Sequence, residues 1–161
     1  MIKLVTIGVY GADAETFFAA LETAGVDTFC DLRARRGVRG AEYAYANSQR
    51  LQARLAAMGI HYLHRKDLAP TPEIRRTQHA VDKTEKVARR KRTELSPAFM
   101  AAYQEIILAN FDPQSLRDEL PADAQVVALH CVEREPAACH RSLVADYLQA
   151  AWGCAVEHLV P

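Results

Sequence analysis

The chain has 161 residues, of which 50% are apolar, and this is enough for one domain with a buried core. No apolar run approaches the ~20 residues of a membrane span, so we expect no membrane partner. The N-terminal stretch has the pattern of a strand rather than a secretory signal, and the four cysteines are therefore expected in the reducing cytoplasm.

The formal net charge of zero conceals a strongly basic middle segment. Residues 33–94 contain sixteen Lys and Arg residues against six Asp and Glu residues, a balance of +10, and the remainder of the chain carries −10. This asymmetry indicates either an anionic partner, such as a nucleic acid, or a solvated surface that faces the acidic segments of the same molecule.

The first half of the chain alternates short β-rich runs with amphipathic helical patterns. Strands are predicted at residues 4–8, 26–32 and 60–63. One helix is predicted to begin after Asp13 and to end near Gly25, and a second to begin after Asn47 and to end near Gly59. This alternation predicts crossover connections and a mainly parallel sheet.

The alternation is interrupted between residues 67 and 95. Residues 73–94 are mostly polar, with three apolar anchors at Ile74, Val81 and Val87. We therefore predict a basic helical insertion at residues 67–95, either an exposed helix or a mobile segment, within a single α/β domain of residues 1–161.

Regular patterns resume in the second half. A helix is predicted to begin at Ser96-Pro97, and residues 112–123 are predicted to form a loop. The apolar run 126–131 is the strongest strand signal and predicts the central strand, followed by a helix over residues 143–151 and a last strand at 156–159. The predicted fold is a three-layer α/β/α single domain with a mainly parallel sheet of about five strands.

Polar residues stand at the predicted carboxyl ends of four strands. In an open parallel sheet, ligands bind outside these ends, so the residues there are expected to converge. They form four pairs, one for each strand: Gly8 and Tyr10, Asp31 and Arg33, Tyr62 and His64, and Cys131 and Glu133.

The segment from Cys131 to Ser142 predicts thiol chemistry. Cys131 is the leading nucleophile candidate, because a helix N-terminus or an arginine nearby favours the reactive thiolate, although a buried cysteine can also be a simple packing residue. Cys139 and His140 fall at the start of the following helix, where backbone N–H groups and Arg141 can hold a phosphate or carboxylate.

An arginine-rich loop follows the second predicted strand. Arg33, Arg36 and Arg39 suit bidentate recognition of phosphate. Asp31 is either a general base or the ion-pair partner that orients Arg33. The nearby Tyr43 and Tyr45 either stack on bases or pack within the protein.

Metal binding is the alternative use of the thiols. Cys131, Cys139 and His140, with His130 as a further candidate, are residue types that bind zinc. The seven residues between the two cysteines do not match a Cys-x-x-Cys clip, so no cofactor is the first expectation and zinc the alternative.

Taken together, these residues resemble the uncharacterised family called "domain of unknown function 488", over nearly the whole chain. The matching stretches are Thr6-Ile7-Gly8, Asp31-Leu32-Arg33, Tyr62–Leu68, Cys131-x-Glu133-x5-Cys139-His140-Arg141-Ser142-Leu143, Gly153 and His158-Leu159. Many members continue Thr-Ile-Gly with His-Ser, where this chain has Val9-Tyr10. The resemblance implies a shared fold and site without implying a specific reaction.

The first hypothesis is a cytoplasmic thiol-dependent enzyme that acts on a phosphate-bearing substrate, either a nucleotide or a nucleic acid. The residues expected to act in catalysis are Cys131, Glu133, Asp31, Cys139 and His140. The residues expected to bind the anion are Gly8, Tyr10, Arg33, Arg36, Arg39, Tyr62, His64, Arg141 and Ser142. The alternatives are a non-catalytic nucleic-acid-binding module that uses residues 33–94 and a structural zinc protein.

Overall fold

The structure is a computed structural model and describes residues 1–88 and 91–161. It contains one five-stranded sheet, in which every pair of neighbouring strands is parallel and the order is β3-β2-β4-β1-β5. The strands are β1 Lys3–Ile7, β2 Thr28–Asp31, β3 His61–His64, β4 Val126–His130 and β5 Val156–Leu159. The predicted parallel sheet and the central position of the strand at residue 126 are confirmed.

Helices cover both faces of the sheet and give three layers. The α-helices of the described residues are α1 Ala14–Thr23, α2 Ser48–Ala57, α3 Pro72–Glu85, α4 Pro97–Ile106, α5 Pro113–Glu119 and α6 His140–Trp152. None of these helices combines the length and the apolar character that crossing a bilayer requires. The predicted three-layer α/β/α architecture is confirmed.

Side chains of alternate strand residues enter two separate cores, as the twofold period of a strand requires. In β4, Val127 and Leu129 pack in the core that α4 and α6 cover, and Ala128 packs in the core of α1 and α2. In β1, Leu4 packs in the core that α4 and α6 cover, and Val5 packs in the core of α1 and α2. The sheet is therefore covered on both faces, and the carboxyl ends of its strands remain available for a site.

The helix starts follow from capping chemistry. Asp13 caps α1 through a hydrogen bond from the Thr16 backbone N–H at 2.8 Å, and Ser96 caps α4 through one from Phe99 N–H at 3.1 Å. Asn47 occupies the N-cap position of α2, but its side chain accepts from the Val38 backbone N–H at 2.8 Å and so ties down the preceding loop.

One sequence expectation was wrong in detail. Residues 112–123 do not form a continuous loop, because Pro113–Glu119 is helix α5, capped by Asp112 and anchored by the buried Leu116. Pro136 begins a single 3₁₀ turn, Pro136–Ala138, and α6 begins afterwards at His140. Cys139 is therefore the N-cap residue of α6, at the start of this helix as predicted.

Helix α3 lies within the predicted insertion and has a buried polar face. Ile74, Gln78 and Asp82, spaced by four residues, are its buried side chains. The Gln78 amide donates to Asp82 at 2.7 Å and accepts from the Ser96 backbone N–H at 2.8 Å, which fastens α3 to the start of α4. Residues 89 and 90 of the predicted insertion lie outside the described residues.

Candidate functional site

The loop after β4 carries the first site residues, and Arg141 fixes its shape. The Arg141 guanidinium is fully buried, and its two terminal nitrogens donate to the carbonyl oxygens of Glu133 at 2.6 Å and Arg134 at 3.1 Å. Arg141 Nε is buried without a hydrogen-bond partner among the described residues. The role predicted for Arg141 in anion binding stays a prediction, because its observed contacts are with the loop backbone.

Gly8 lies directly beneath this loop. A Cβ atom at Gly8 would stand 1.9 Å from the Glu133 carbonyl oxygen and 3.2 Å from the Arg141 guanidinium. The next two backbone N–H groups, of Val9 and Tyr10, donate to the Val132 carbonyl oxygen at 2.9 and 3.0 Å. Because Gly8 has no side chain, the Glu133 carbonyl can approach its backbone closely. The backbone that follows β1 then holds the loop in place through these hydrogen bonds.

Cys131, Cys139 and His140 meet at the centre of the site, and all three are buried. The sulfur atoms of Cys131 and Cys139 each lie 3.7 Å from His140 Nδ1. The other ring nitrogen, Nε2, lies 3.2 Å from the Leu32 carbonyl oxygen. Because a carbonyl can only accept, Nε2 carries a hydrogen, and in the neutral ring Nδ1 is an acceptor directed at both thiols.

The position of Cys139 favours its thiolate. It is the N-cap residue of the thirteen-residue helix α6, where a negative charge is stabilised. Burial raises the pKa of the Cys139 thiol, but the hydrogen bond from Cys131 and the charges of His140 and Arg141 outweigh burial and hold the pKa well below its ordinary value. At Cys30 the effect of burial prevails, and the pKa of that thiol is raised above its ordinary value.

The same three residues have the arrangement of metal ligands. Their donor atoms lie within 4.8 Å of one another. The hydrogen bond from His140 Nε2 to a backbone carbonyl is the outer contact that metal-binding histidines usually make. The Cys131 sulfur also lies 3.6 Å from a Glu133 carboxylate oxygen, but Glu133 is not among the donors that lie within 4.8 Å of one another. The cluster therefore suits either thiol chemistry or zinc.

Arg92 connects this cluster to α3. Its guanidinium lies 3.7 Å from the Glu133 carboxylate and 2.6 Å from the Asp82 carboxylate. Arg92 is thus held between a residue of the thiol site and the last turn of α3.

A small cavity opens beside Cys139 and His140. Its volume is about 50 Å³, which is room for a water molecule or a small ionic group but not for a whole nucleotide. Glu133 lines it together with Cys139 and His140, and the opposite wall includes Arg75, His79 and Arg92. The sequence did not identify these three as site residues; the only signal was the basic charge of residues 33–94.

Asp31 and Arg33 form a second buried cluster at the ends of β2 and β3. Both Asp31 carboxylate oxygens accept from the Arg33 guanidinium at 2.8 Å, and Tyr62 OH donates to Asp31 at 2.7 Å. Burial raises the pKa of Asp31, but the hydrogen bonds from Arg33 and Tyr62 and the charges of His130 and Arg33 together outweigh burial and lower it. Burial also raises the pKa of Tyr62, to about 12. Of the two roles predicted for Asp31, the ion pair that orients Arg33 is the arrangement observed.

The remaining predicted anion-binding residues lie around this second cluster or on the adjoining surface. Arg36 lies 3.5 Å from Tyr62 OH, and the His64 ring nitrogen Nε2 lies 2.7 Å from the Arg33 carbonyl oxygen. Arg39 is exposed in the loop that precedes α2, and the Tyr10 ring packs on Tyr43 at 5.5 Å. The residues Arg36, Arg39, His64 and Tyr10 do not line the thiol cavity.

Ser142 and Tyr45 both make contacts within the protein. Ser142 Oγ donates to the Cys139 carbonyl oxygen at 2.8 Å within the first turn of α6. The Tyr45 ring is buried against Phe17, with ring centroids 5.2 Å apart, so it offers no exposed face for stacking on a base. Nucleic-acid binding by residues 33–94 stays a prediction.

Comparison with protein-family models finds a match over most of the chain. The sequence profile named "Domain of unknown function DUF488" matches residues 13–148, a span that includes both the thiol cluster and the Asp31–Arg33 pair. The chain belongs to the DUF488 family. No curated protein and no solved structure matches it significantly. The function of this DUF488 protein is therefore inferred from the chemistry of its own residues.

Proposed function

We propose that this DUF488 protein is a thiol-dependent enzyme in which Cys139 attacks the phosphate group of a substrate. The observation that carries the proposal is the position of His140 Nδ1, 3.7 Å from the sulfur of Cys139 and 3.7 Å from that of Cys131. A Cys–His pair whose imidazole is oriented by a third group is the recurrent arrangement of nucleophilic thiols, and here the Leu32 carbonyl is the orienting group.

The attacking role passes from Cys131, where the sequence placed it, to Cys139. Cys139 lines the cavity and caps α6, so a substrate can reach it. The neighbouring Cys131 also lowers the pKa of Cys139, which supports the thiolate. An anion in the cavity also lies close to the α6 N-terminus, where helix polarity favours negative charge.

The reaction that fits these groups is hydrolysis of a phosphate ester in two steps. His140 Nδ1 takes the thiol proton, the Cys139 sulfur bonds to phosphorus, and the P–O ester bond breaks. The leaving oxygen then takes the proton from His140. In the second step water attacks the phosphocysteine, Glu133 accepts the proton of the water, and the S–P bond breaks. Glu133 then passes this proton to the departing Cys139 sulfur, so that phosphate and the free thiol are released. Only the phosphate group needs to enter a cavity of about 50 Å³.

The test is phosphate release from a panel of phosphate monoesters and nucleotides. We expect release from at least one class, a loss of about 10³-fold or more in Cys139→Ser, and unchanged release in Cys154→Ser. Cys154 is a matched control, because it is also a buried free cysteine and lies outside the cluster. Full activity in Cys139→Ser, or no release from any ester, would contradict the proposal.

A zinc site is the second candidate, favoured by the three donor atoms that lie within 4.8 Å of one another. In this alternative Cys131, Cys139 and His140 bind the ion. It predicts one zinc ion per chain in the purified protein and loss of folding on chelation, and metal analysis with a denaturation curve checks both.

A further inference from the structure

Helix α3 forms the cationic wall of the thiol cavity. Arg75 and His79, one helical turn apart, line it opposite Cys139. The Arg75 Nε donates to the Pro70 carbonyl oxygen at 3.2 Å, which holds the side chain along the cavity wall. The acidic lining residue Glu133 lies beside Arg92 at 3.7 Å, so its charge is partly offset. The cavity therefore presents more positive than negative charge to a ligand.

A second groove continues from this cavity along α3. Its volume is about 350 Å³, and its lining includes Lys83 and Lys86. His79 lines both the cavity and the groove, so the two spaces adjoin at this residue. The acidic residue of the groove, Asp82, accepts from the Arg92 guanidinium at 2.6 Å. A basic track thus leads along the helix to Cys139.

We propose that Arg75, His79 and Lys83 form an anion-binding track that selects a substrate with two negatively charged groups, such as an organic diphosphate or polyphosphate. This inference rests on the proposed function of Cys139. The terminal phosphate occupies the cavity of about 50 Å³, and the rest of the molecule lies in the groove of about 350 Å³. The groove is large enough for a sugar-sized group, which the cavity alone excludes.

The charge on α3 can act on the anionic substrate or on the thiol itself. For this reason a pair of alkylating reagents that differ in charge can separate the two effects. Iodoacetate carries a carboxylate and iodoacetamide is neutral, while both react with the same sulfur. The ratio of their rates at Cys139, resolved by peptide mass spectrometry, measures how strongly the site attracts an anion.

We expect the ratio of iodoacetate to iodoacetamide rates at Cys139 to exceed that of 2-mercaptoethanol at pH 7 and low salt. Arg75→Gln should lower the ratio about fivefold, and high salt should have a similar effect. Arg76→Gln is the matched control, because Arg76 is exposed on the same helix and does not line the cavity.

The groove is tested by protection of Cys139 against iodoacetamide. Inorganic triphosphate should protect at lower concentration than inorganic phosphate, and Lys83→Gln should weaken protection by triphosphate about fivefold while leaving that by phosphate unchanged. If Arg75→Gln and Arg76→Gln changed the rate ratio equally, or if the two anions protected Cys139 equally, this inference would be overturned while the proposed function would stand. A Cys139 that reacts with neither reagent would overturn the proposed function and this inference with it.

Discussion

Replacing Gly8 by alanine is expected to destabilise the protein by at least about 3 kcal/mol and to disrupt the thiol site. The added Cβ atom would stand 1.9 Å from the Glu133 carbonyl oxygen, far inside van der Waals contact. That oxygen belongs to the backbone and accepts a 2.6 Å hydrogen bond from Arg141. The loop must move, and the arrangement of Glu133 beside Cys131 moves with it.

Urea denaturation of the Gly8→Ala and Gly37→Ala variants measures this effect. Gly37 is a matched control, because neither glycine has a positive φ angle and the nearest atom to a Cβ at Gly37 is at an ordinary 3.6 Å. Gly37→Ala should change the free energy of unfolding by less than about 1 kcal/mol. Equal stabilities of the two variants would show that the loop does not pack on Gly8 as described.

Replacing Asp31 by asparagine is expected to cost about 3 to 5 kcal/mol, because it leaves the buried Arg33 guanidinium without its carboxylate. Arg33 is only 3% exposed, and both Asp31 oxygens accept from it at 2.8 Å. The free energy of unfolding at pH 7 measures the loss. Asp123→Asn, at an exposed carboxylate, is the control and should lie within about 0.5 kcal/mol of the wild type.

The Asp31–Arg33 ion pair makes the free energy of unfolding depend on pH. The pKa of Asp31 is lower in the folded protein than its ordinary value of 3.8, so its stabilisation is fully present above that value. The stabilisation is lost as the pH falls through the lowered pKa, because the folded state must then take up a proton. Asp31→Asn should therefore lose less stability between pH 4 and pH 2 than the wild type. An identical loss in both proteins would contradict the ion-pair account.

Much of the fold could be predicted from the sequence because its signals are local. The strands at residues 126 and 156 begin where the apolar runs begin, and Asp13 and Ser96 cap the helices that their sequences indicate. Helix α5 was missed because seven residues with one fully buried anchor, Leu116, carry almost no periodic signal.

The thiol cluster could be predicted in part, because its residues lie close together in the sequence. Cys131, Cys139 and His140 lie within ten residues, and a strand end followed by a helix start brings such residues together. The opposite wall could not be predicted, because Arg75 and His79 reach the cavity only through the packing of α3. That packing depends on the contact of Gln78 with the Ser96 backbone, a polar contact across eighteen residues that no periodicity reveals.

The most direct test of the reactive thiol is the pH dependence of alkylation at each cysteine, resolved by peptide mass spectrometry, before and after treatment with a chelator. We predict that Cys139 reacts fast well below pH 8 in the untreated protein, and that the buried Cys30 and Cys154 react slowly. Reaction of Cys139 only after chelation would favour the zinc site. A Cys139 rate as slow as those of Cys30 and Cys154 would contradict the account.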